Sequence, residues 1–461
     1  MGAVRVVRWL AATLLFSTLC FADSQVRIVR LSSVDGDVQV DRNTGQFEKA
    51  FLNLPITEGV KVQTGRDGRA EIEFEDGSVV RLAPGALVQF SRLALKDSGT
   101  KASELKLQQG TAYVDFRGNS EFSLDFGRES ISPKDPAHFR VQMNDTNAVV
   151  AVFKGKIEVD GASGNVDVGK NDAVTFDLAN HDQYETAKLE ELPFDTWDKE
   201  QGKYHDAYFN KNRDHVQGSY GVSDLNYYGT FINAPGYGSV WQPYFVNAGW
   251  NPFMDGAWAY YPGAGYTWVS AYPWGWTPFH CGSWLFGPSF GWGWQPGGCI
   301  GGFGFVPVIG APVGFQRPIP PTGTPGRGTI VMGPRPIMRP MVPMNRVVIQ
   351  NNSAGLGIPR GSIRDMSHLS SEARQKGSVT TTFRSTPIVN PRPTFINGGM
   401  STRTNSVGNP GRVNTPTRTA PAATAPARTA PPPTRSAPSM PASRSSGGGM
   451  GVPRSTPPRS R

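Results

Sequence analysis

An aromatic pattern of 13 residues occurs three times in the chain, and it restricts the possible folds more than any other sequence feature. Each copy starts with Gly, has an aromatic residue two positions later, continues through Pro and Gly, and ends on Trp. The copies span 229–241, 256–268 and 282–294. Because Pro presets φ and Gly permits positive φ, each copy predicts an aromatic strand, a tight turn and a returning strand. Repeats of this length bury their faces against their neighbours, so we predict a Trp-rich domain of β-hairpin repeats over 219–305.

The composition of this region suits aromatic contacts and not charged ones. Nine of the chain's 11 Trp lie between Trp241 and Trp294, and no Lys or Arg occurs from 214 to 316. Two interpretations stay open: the indoles form the core of a domain poor in Leu and Ile, or a minority is displayed to bind apolar sugar faces. For display we select four Trp that the repeats and their connectors place at equivalent positions: Trp250, Trp258, Trp276 and Trp284.

Residues 23–182 have the pattern of a β domain. In AEIEFEDGSVVRL, which starts at Ala70, apolar residues alternate with Glu71, Glu73 and Glu75, as in a half-buried strand whose Glu face is solvated. Asp76-Gly77 is a hairpin turn signal. Similar short strands and turns recur up to Phe176. This spacing predicts a mainly β protein with an antiparallel sandwich or a barrel-like domain at 23–182.

Three stretches of this domain resemble the FecR-type periplasmic domain: GDVQV from Gly36, ITEGVKVQTGRDGRAEIEFEDGSVVRL from Ile56, and FRVQMNDTNAVVAVFKGKIEVDGASGNVDVGKNDAVTF from Phe139. The resemblance implies an extracytoplasmic, sensor-like module. The best-known members of the family are membrane-anchored regulators that bind a sigma factor through a cytoplasmic segment, and we expect only the extracytoplasmic module to carry over. Together with the Trp-rich repeats, the chain also resembles secreted bacterial proteins in which a FecR-like domain precedes an uncharacterised Trp-, Gly- and Pro-rich domain.

A linker with one short helix is predicted at 183–218. The helix is expected to start after Pro193 and to pack Trp197, Tyr204 and Tyr208 against a neighbouring domain. We expect His205, which lies among charged residues, to be solvated.

The two ends of the chain have their own compositions. Residues 1–22 combine Arg with an apolar run and small residues, which predicts a signal peptide, secretion across the inner membrane and a periplasmic or cell-surface location. Residues 306–461 are rich in Pro, Arg, Thr and Ser and predict a disordered tail. From Gly310 onward, 19 Arg and 1 Lys face only 2 acidic residues. The tail is therefore either a flexible spacer or a segment that contacts an anionic polymer or a membrane surface, and we do not expect nucleic acid as a partner.

The sequence contains no recognisable catalytic motif, metal-binding motif or cofactor loop. Cys281 and Cys299 flank the third repeat, and they predict either a disulfide or two buried thiols. We therefore expect a non-enzymatic envelope protein without a cofactor, which binds or scaffolds cell-wall polysaccharide or envelope proteins through aromatic surfaces. The alternative is a FecR-type signalling or sensor component that reports to a membrane regulator.

Overall fold

The computed structural model describes residues 27–179, 183–211, 215–216, 221–262, 264–299, 306–322, 330–332 and 347–382. The predicted signal peptide at 1–22 and the predicted tail from 383 onward lie outside the described residues.

Two β-sheets form the N-terminal sandwich. Sheet A contains, in spatial order, β4 (Pro55–Ile56), β1 (Val29–Asp35), β6 (Arg69–Glu73), β7 (Val79–Leu82), β9 (Lys101–Phe116), β12 (Ala137–Met143), β13 (Asn147–Lys154), β16 (Asp172–Asp177) and β17 (Gln183–Lys188). Sheet B contains β3 (Glu48–Lys49), β2 (Val38–Asp41), β5 (Lys61–Thr64), β8 (Leu87–Leu95), the first half of β9, β10 (Glu121–Phe126), β11 (Glu129–Ile131), β14 (Lys156–Asp160) and β15 (Val166–Gly169). All of these pairs are antiparallel except β9 with β10.

Strand β9 belongs to both sheets and turns the corner of the sandwich at Gly110. Its residues up to Gln109 pair with β8, and its residues from Gly110 pair with β12. Gly110 has a φ of +82°, and a Cβ atom there would lie 2.5 Å from the backbone of Ala86. Only Gly fits this bend without a clash. The apolar sides of the two sheets face each other and bury residues such as Ile72, Leu105 and Phe139. The predicted sandwich is confirmed.

A helical segment follows the sandwich. Strand β17 lies in the region predicted as linker, so sheet A continues to Lys188. Helix α1 (Asp195–Phe209) then starts two residues after Pro193, as predicted, and packs Tyr204 into the core.

The three aromatic repeats form three β-hairpins, as predicted. They consist of β18 (Gly229–Ala234) with β19 (Gly238–Pro243), β20 (Gly256–Tyr261) with β21 (Gly265–Ser270), and β22 (Cys281–Gly287) with β23 (Gly291–Cys299). Helices α2 (Val222–Tyr228) and α3 (Thr277–His280) precede the first and third hairpins. The turn residues Gly238, Gly265 and Gly291 have φ between +75° and +85°. We call the described residues from 221 to 322 the Trp-rich module.

Each repeat pairs its first aromatic residue with its closing Trp across the hairpin. The cross-strand pairs are Phe231 with Trp241, Trp258 with Trp268, and Trp284 with Trp294. The Gly that opens a repeat leaves room for that Trp: a Cβ atom at Gly229 or Gly256 would lie 2.3 Å from the closing indole. The Gly that opens a repeat thus provides the space into which the closing Trp of that repeat packs.

The hairpins are not stacked in sequence order. The first and third share a sheet through Trp241 and Trp294, and β24 (Val308–Ile309) extends that sheet. The second hairpin pairs with β25 (Ile330–Met332) and packs on the sandwich, where Tyr261 is buried with the sandwich core and donates a hydrogen bond to the Pro55 carbonyl at 2.6 Å.

Part of the predicted disordered tail is folded. Residues 347–382, which we call the C-terminal strap, contain β26 (Val347–Gln350), helix α4 (Met366–Lys376) and β27 (Ser378–Thr381). The strap buries Ile349, Ala354 and Ile358 in the same cluster as the Trp residues. The prediction of disorder is therefore wrong for 347–382, because the apolar residues of this segment complete a core that its local composition does not reveal. It is also wrong for β24 and β25, which lie within the predicted tail at 306–461 and pair with the hairpins.

Candidate functional site

Sheet A carries a charged face on the side opposite the sandwich core. In neighbouring strands, Arg30 lies across from Glu73, and Glu71 lies across from Arg81. The row continues through Tyr113 on β9 to Arg140 on β12. Opposite charges on adjacent strands stabilise the pairing. The expectation that this face is solvated is wrong, since Glu71 and Arg81 are fully buried and Glu73 is 2% exposed.

Helix α1 covers part of this face with side chains of complementary charge. The Asp198 carboxylate accepts a hydrogen bond from Arg81 at 2.8 Å, and Asp195 lies 2.6 Å from Arg140. His205 is buried, and its Nε2 lies 3.0 Å from Glu71 Oε1. The expectation that His205 is solvated is therefore wrong: the helix turns it inward onto the sheet.

Asp224 on helix α2 joins the sandwich to the Trp-rich module. Its carboxylate lies 2.7 Å from Arg30 and accepts a hydrogen bond from the Tyr204 hydroxyl at 2.8 Å. Arg30 also donates to the Pro273 carbonyl of the module at 2.6 Å. On the same face, Glu73 accepts a hydrogen bond from the Gly221 amide at 3.0 Å, directly before helix α2 begins.

Arg360 of the C-terminal strap binds the sandwich and the module together. Its guanidinium donates to both carboxylate oxygens of Asp224 at 2.8 and 2.7 Å and to Glu71 at 2.6 Å. It also donates to the Ser32 carbonyl at 2.7 Å. A planar guanidinium can make all of these hydrogen bonds at once, and an ammonium group cannot. We call the following seven residues the ionic junction: Arg30, Glu71, Glu73, Arg81, Asp198, Asp224 and Arg360.

The electrostatics of the junction keep three of its carboxylates ionised: Glu71, Asp198 and Asp224. Burial by itself raises the pKa of Glu71, but the charges of His205, Arg360 and Arg81 outweigh burial and hold this pKa well below its usual range. The pKa of Asp224 is lowered in the same way, since Arg360 and Arg30 outweigh its burial. A carboxylate whose pKa lies below its usual range stays ionised near neutral pH and keeps its attraction to a guanidinium. The junction is thus suited to holding parts of the chain together.

The four Trp selected for display are all in the core. Trp250, Trp258, Trp276 and Trp284 are 2, 4, 1 and 0% exposed. Trp250 donates to the Tyr272 hydroxyl at 3.0 Å, and the ring of Trp276 stacks on His280 with centroids 4.0 Å apart. The expectation of display is wrong because the module has few Leu and Ile, and its indoles supply the apolar volume that those residues usually provide.

Asp255 is a further buried carboxylate of the Trp-rich module. Asp255 accepts a hydrogen bond from Tyr272 at 2.9 Å within the module. In the described residues, no three His, Cys, Asp or Glu side chains are grouped so that they could hold a metal ion.

A disulfide joins Cys281 to Cys299 at the open end of the third hairpin. Breaking it should destabilise the protein by about 3 kcal/mol, because a loop of this size gains that much conformational entropy in the unfolded chain. Urea unfolding with and without a reductant measures the loss. The double variant Cys281→Ser/Cys299→Ser is the control, and it should show no response to the reductant.

The buried His280 makes the fold sensitive to mild acid. Burial lowers the pKa of His280 to about 4, with a further contribution from the charge of Arg30. In the unfolded chain its pKa returns to about 6.5, so the unfolded state takes up a proton first as the pH falls. Stability that is present above pH 6.5 should therefore decrease between about pH 6.5 and 4, by about 3 kcal/mol from this group. Urea unfolding across this range tests the expectation, and His280→Asn should lose this part of the pH dependence.

Two family models match separate parts of the chain. Residues 60–158 match the FecR protein family. This stretch runs from just before β5 into β14, and it includes the strands that carry Glu71, Glu73 and Arg81. Residues 222–310 match a family of unknown function, DUF6600, and they contain helix α2 and all three hairpins. The C-terminal strap lies outside both matches.

Two solved structures are similar to part of the chain, and both are described as a candidate anti-sigma factor from Parabacteroides distasonis. The first is 18% identical with a TM-score of 0.25, and the similarity covers 30% of this chain and 63% of that one. The second is 16% identical with a TM-score of 0.26, and the similarity covers 32% of this chain and 71% of that one. No curated protein matches the chain. In the part of the chain that the structure describes, no helix has both the length and the apolar character required to cross a membrane.

Proposed function

We propose that this chain is a non-enzymatic, FecR-type signalling component of the cell envelope. In this proposal the sandwich contacts a membrane regulator, and the Trp-rich module is a fixed structural cover for one face of the sandwich. The FecR match over 60–158 supports the signalling role. The burial of Trp250, Trp258, Trp276 and Trp284 disfavours the other expected function, which is binding through exposed aromatic surfaces.

The proposal rests on the part of the sandwich that stays accessible to other proteins. The module, helix α1 and the strap cover the charged face of sheet A. At the far edge of the same sheet, β17 is exposed along all six of its residues, and β16 is its partner on one side. An exposed edge strand can pair with an extended segment of another protein through main-chain hydrogen bonds. We therefore propose that the contact with an envelope protein is made at β17.

Site-specific photocrosslinking in cells tests this proposal. A photoreactive phenylalanine analogue is placed at Glu185 on β17, and in a separate variant at Tyr237, which is exposed on the first hairpin of the module. We expect the Glu185 probe to crosslink to a membrane protein and the Tyr237 probe to give no such product. Crosslinks to cell-wall polymer from Tyr237, with none from Glu185, would instead favour the binding or scaffolding role.

A second readout separates signalling from scaffolding. If the chain signals, deleting its gene should change the levels of a defined set of transcripts, and the wild-type gene should restore them. An altered envelope with unchanged transcript levels would contradict the signalling role. For the arginine-rich residues beyond 382, both predicted roles remain predictions: a flexible spacer, or a contact with an anionic polymer or a membrane surface.

A further inference from the structure

The strap occupies a groove whose contacts resemble those of a bound peptide. Three strap residues are held through their main chain by aromatic side chains of the module. Trp274 donates to the Ala354 carbonyl at 2.7 Å, Tyr228 donates to the Ile358 carbonyl at 2.7 Å, and the Ile363 amide donates to the Tyr227 hydroxyl at 2.9 Å. These contacts depend on the path of the strap backbone, which runs through tight turns: Ala354, Gly355, Gly357 and Gly361 have φ between +48° and +87°.

Arg360 is the strap side chain that makes the groove specific for an arginine. Its guanidinium lies between Glu71 of the sandwich and Asp224 of the module, and it packs over the ring of Tyr204 at 5.5 Å. The two carboxylates come from parts of the chain that match different families, and the arginine comes from a segment that matches neither. Without the strap, two buried carboxylates would lose a cation, and Arg30 alone would remain beside Asp224.

We propose that this groove is a binding site for an arginine-bearing peptide segment that folds into tight turns, and that residues 354–363 of the strap fill it within the same chain. A protein partner that presents an arginine in a segment with the same turns would bind here by displacing the strap. Trp274 and Tyr228 donate to strap carbonyls, and the Tyr227 hydroxyl accepts from a strap amide. Glu71 and Asp224 form the guanidinium site. This inference does not depend on the signalling role, because it concerns only what the groove binds.

Chemical rescue of the full-length Arg360→Ala variant tests the guanidinium site. The variant should unfold at a lower temperature than the wild type, and millimolar ethylguanidinium should raise its unfolding midpoint in a saturable way. Ethylammonium at the same ionic strength should not, because it lacks the planar set of donors. Arg364→Ala removes an exposed arginine four residues along the strap and should leave the midpoint unchanged. Equal effects of the two ions on Arg360→Ala, or no effect of either on the folded variant, would overturn the assignment.

A second measurement uses the wild-type chain and stays informative if Arg360→Ala does not fold. A synthetic peptide of residues 354–366 is added in excess, and hydrogen exchange of helix α4 is followed. We expect the peptide to displace the strap and to accelerate exchange in α4 several-fold. The same peptide with Arg360→Ala should have a much weaker effect. Equal effects of the two peptides, or no effect of either, would show that the groove does not select an arginine-bearing segment.

Discussion

Replacing Arg81 with alanine should destabilise the protein by about 3–5 kcal/mol, because two buried carboxylates each lose a guanidinium partner. Arg81 is fully buried, and it donates to Glu71 and Asp198 at 2.8 Å each. The substitution removes both contacts and opens space beneath helix α1. Urea unfolding followed by circular dichroism measures the loss.

The same sandwich contains a matched control for this variant. Arg92 lies 2.8 Å from Glu104, but their side chains are 48% and 44% exposed. Solvent screens such a pair, so Arg92→Ala should leave the unfolding midpoint nearly unchanged. Equal losses for Arg81→Ala and Arg92→Ala would mean that burial of the junction adds nothing to its importance.

Replacing Trp274 with alanine should have an effect of similar size, for a different reason. Trp274 is fully buried, stacks on Tyr272 with centroids 4.9 Å apart, and contacts Trp241 at 4.8 Å. Removing a buried indole costs about 3–5 kcal/mol through lost packing and the cavity that remains. The variant also loses the hydrogen bond from the indole to the Ala354 carbonyl, so we expect the strap to loosen first.

Hydrogen exchange and urea unfolding together test the Trp274 prediction. Helix α4 should lose protection in Trp274→Ala at urea concentrations where the wild type keeps it. Trp197→Ala is the matched control, since Trp197 is only half-buried on helix α1 and should cost less stability. If Trp274→Ala left both the strap and the global stability unchanged, the indole cluster would not be the core of the module.

The sequence predicts local structure well in this chain because the signals are local. Alternation in AEIEFEDGSVVRL correctly predicts strand β6, and the Pro and Gly spacing correctly predicts the three hairpin turns. The same alternation cannot show whether the Glu71 side chain is exposed to solvent or buried. That depends on His205 and Arg360, which lie 134 and 289 residues away along the chain.

The wrong predictions for the four Trp and for the strap have the same cause, since they also depend on contacts between residues far apart in the sequence. The sequence cannot decide whether the four Trp lie at a surface, because aromatic side chains suit both cores and binding faces. Only the number of elements packed around them decides between the two. The composition around the strap, which is rich in Pro and Thr, predicts disorder there. Its few apolar residues, such as Ile349 and Ile358, are sufficient once a Trp-rich surface is available to receive them.

We expect the sandwich, the Trp-rich module and the strap to fold as one cooperative unit, because the ionic junction joins all three. Hydrogen exchange of the full-length chain at increasing urea tests this claim most directly, with amides of β13, β23 and α4 reporting on the three parts. We expect all three to lose protection over the same narrow range of urea concentration. Loss of protection in β23 and α4 while β13 remains fully protected would contradict the claim and show that the parts are independent domains.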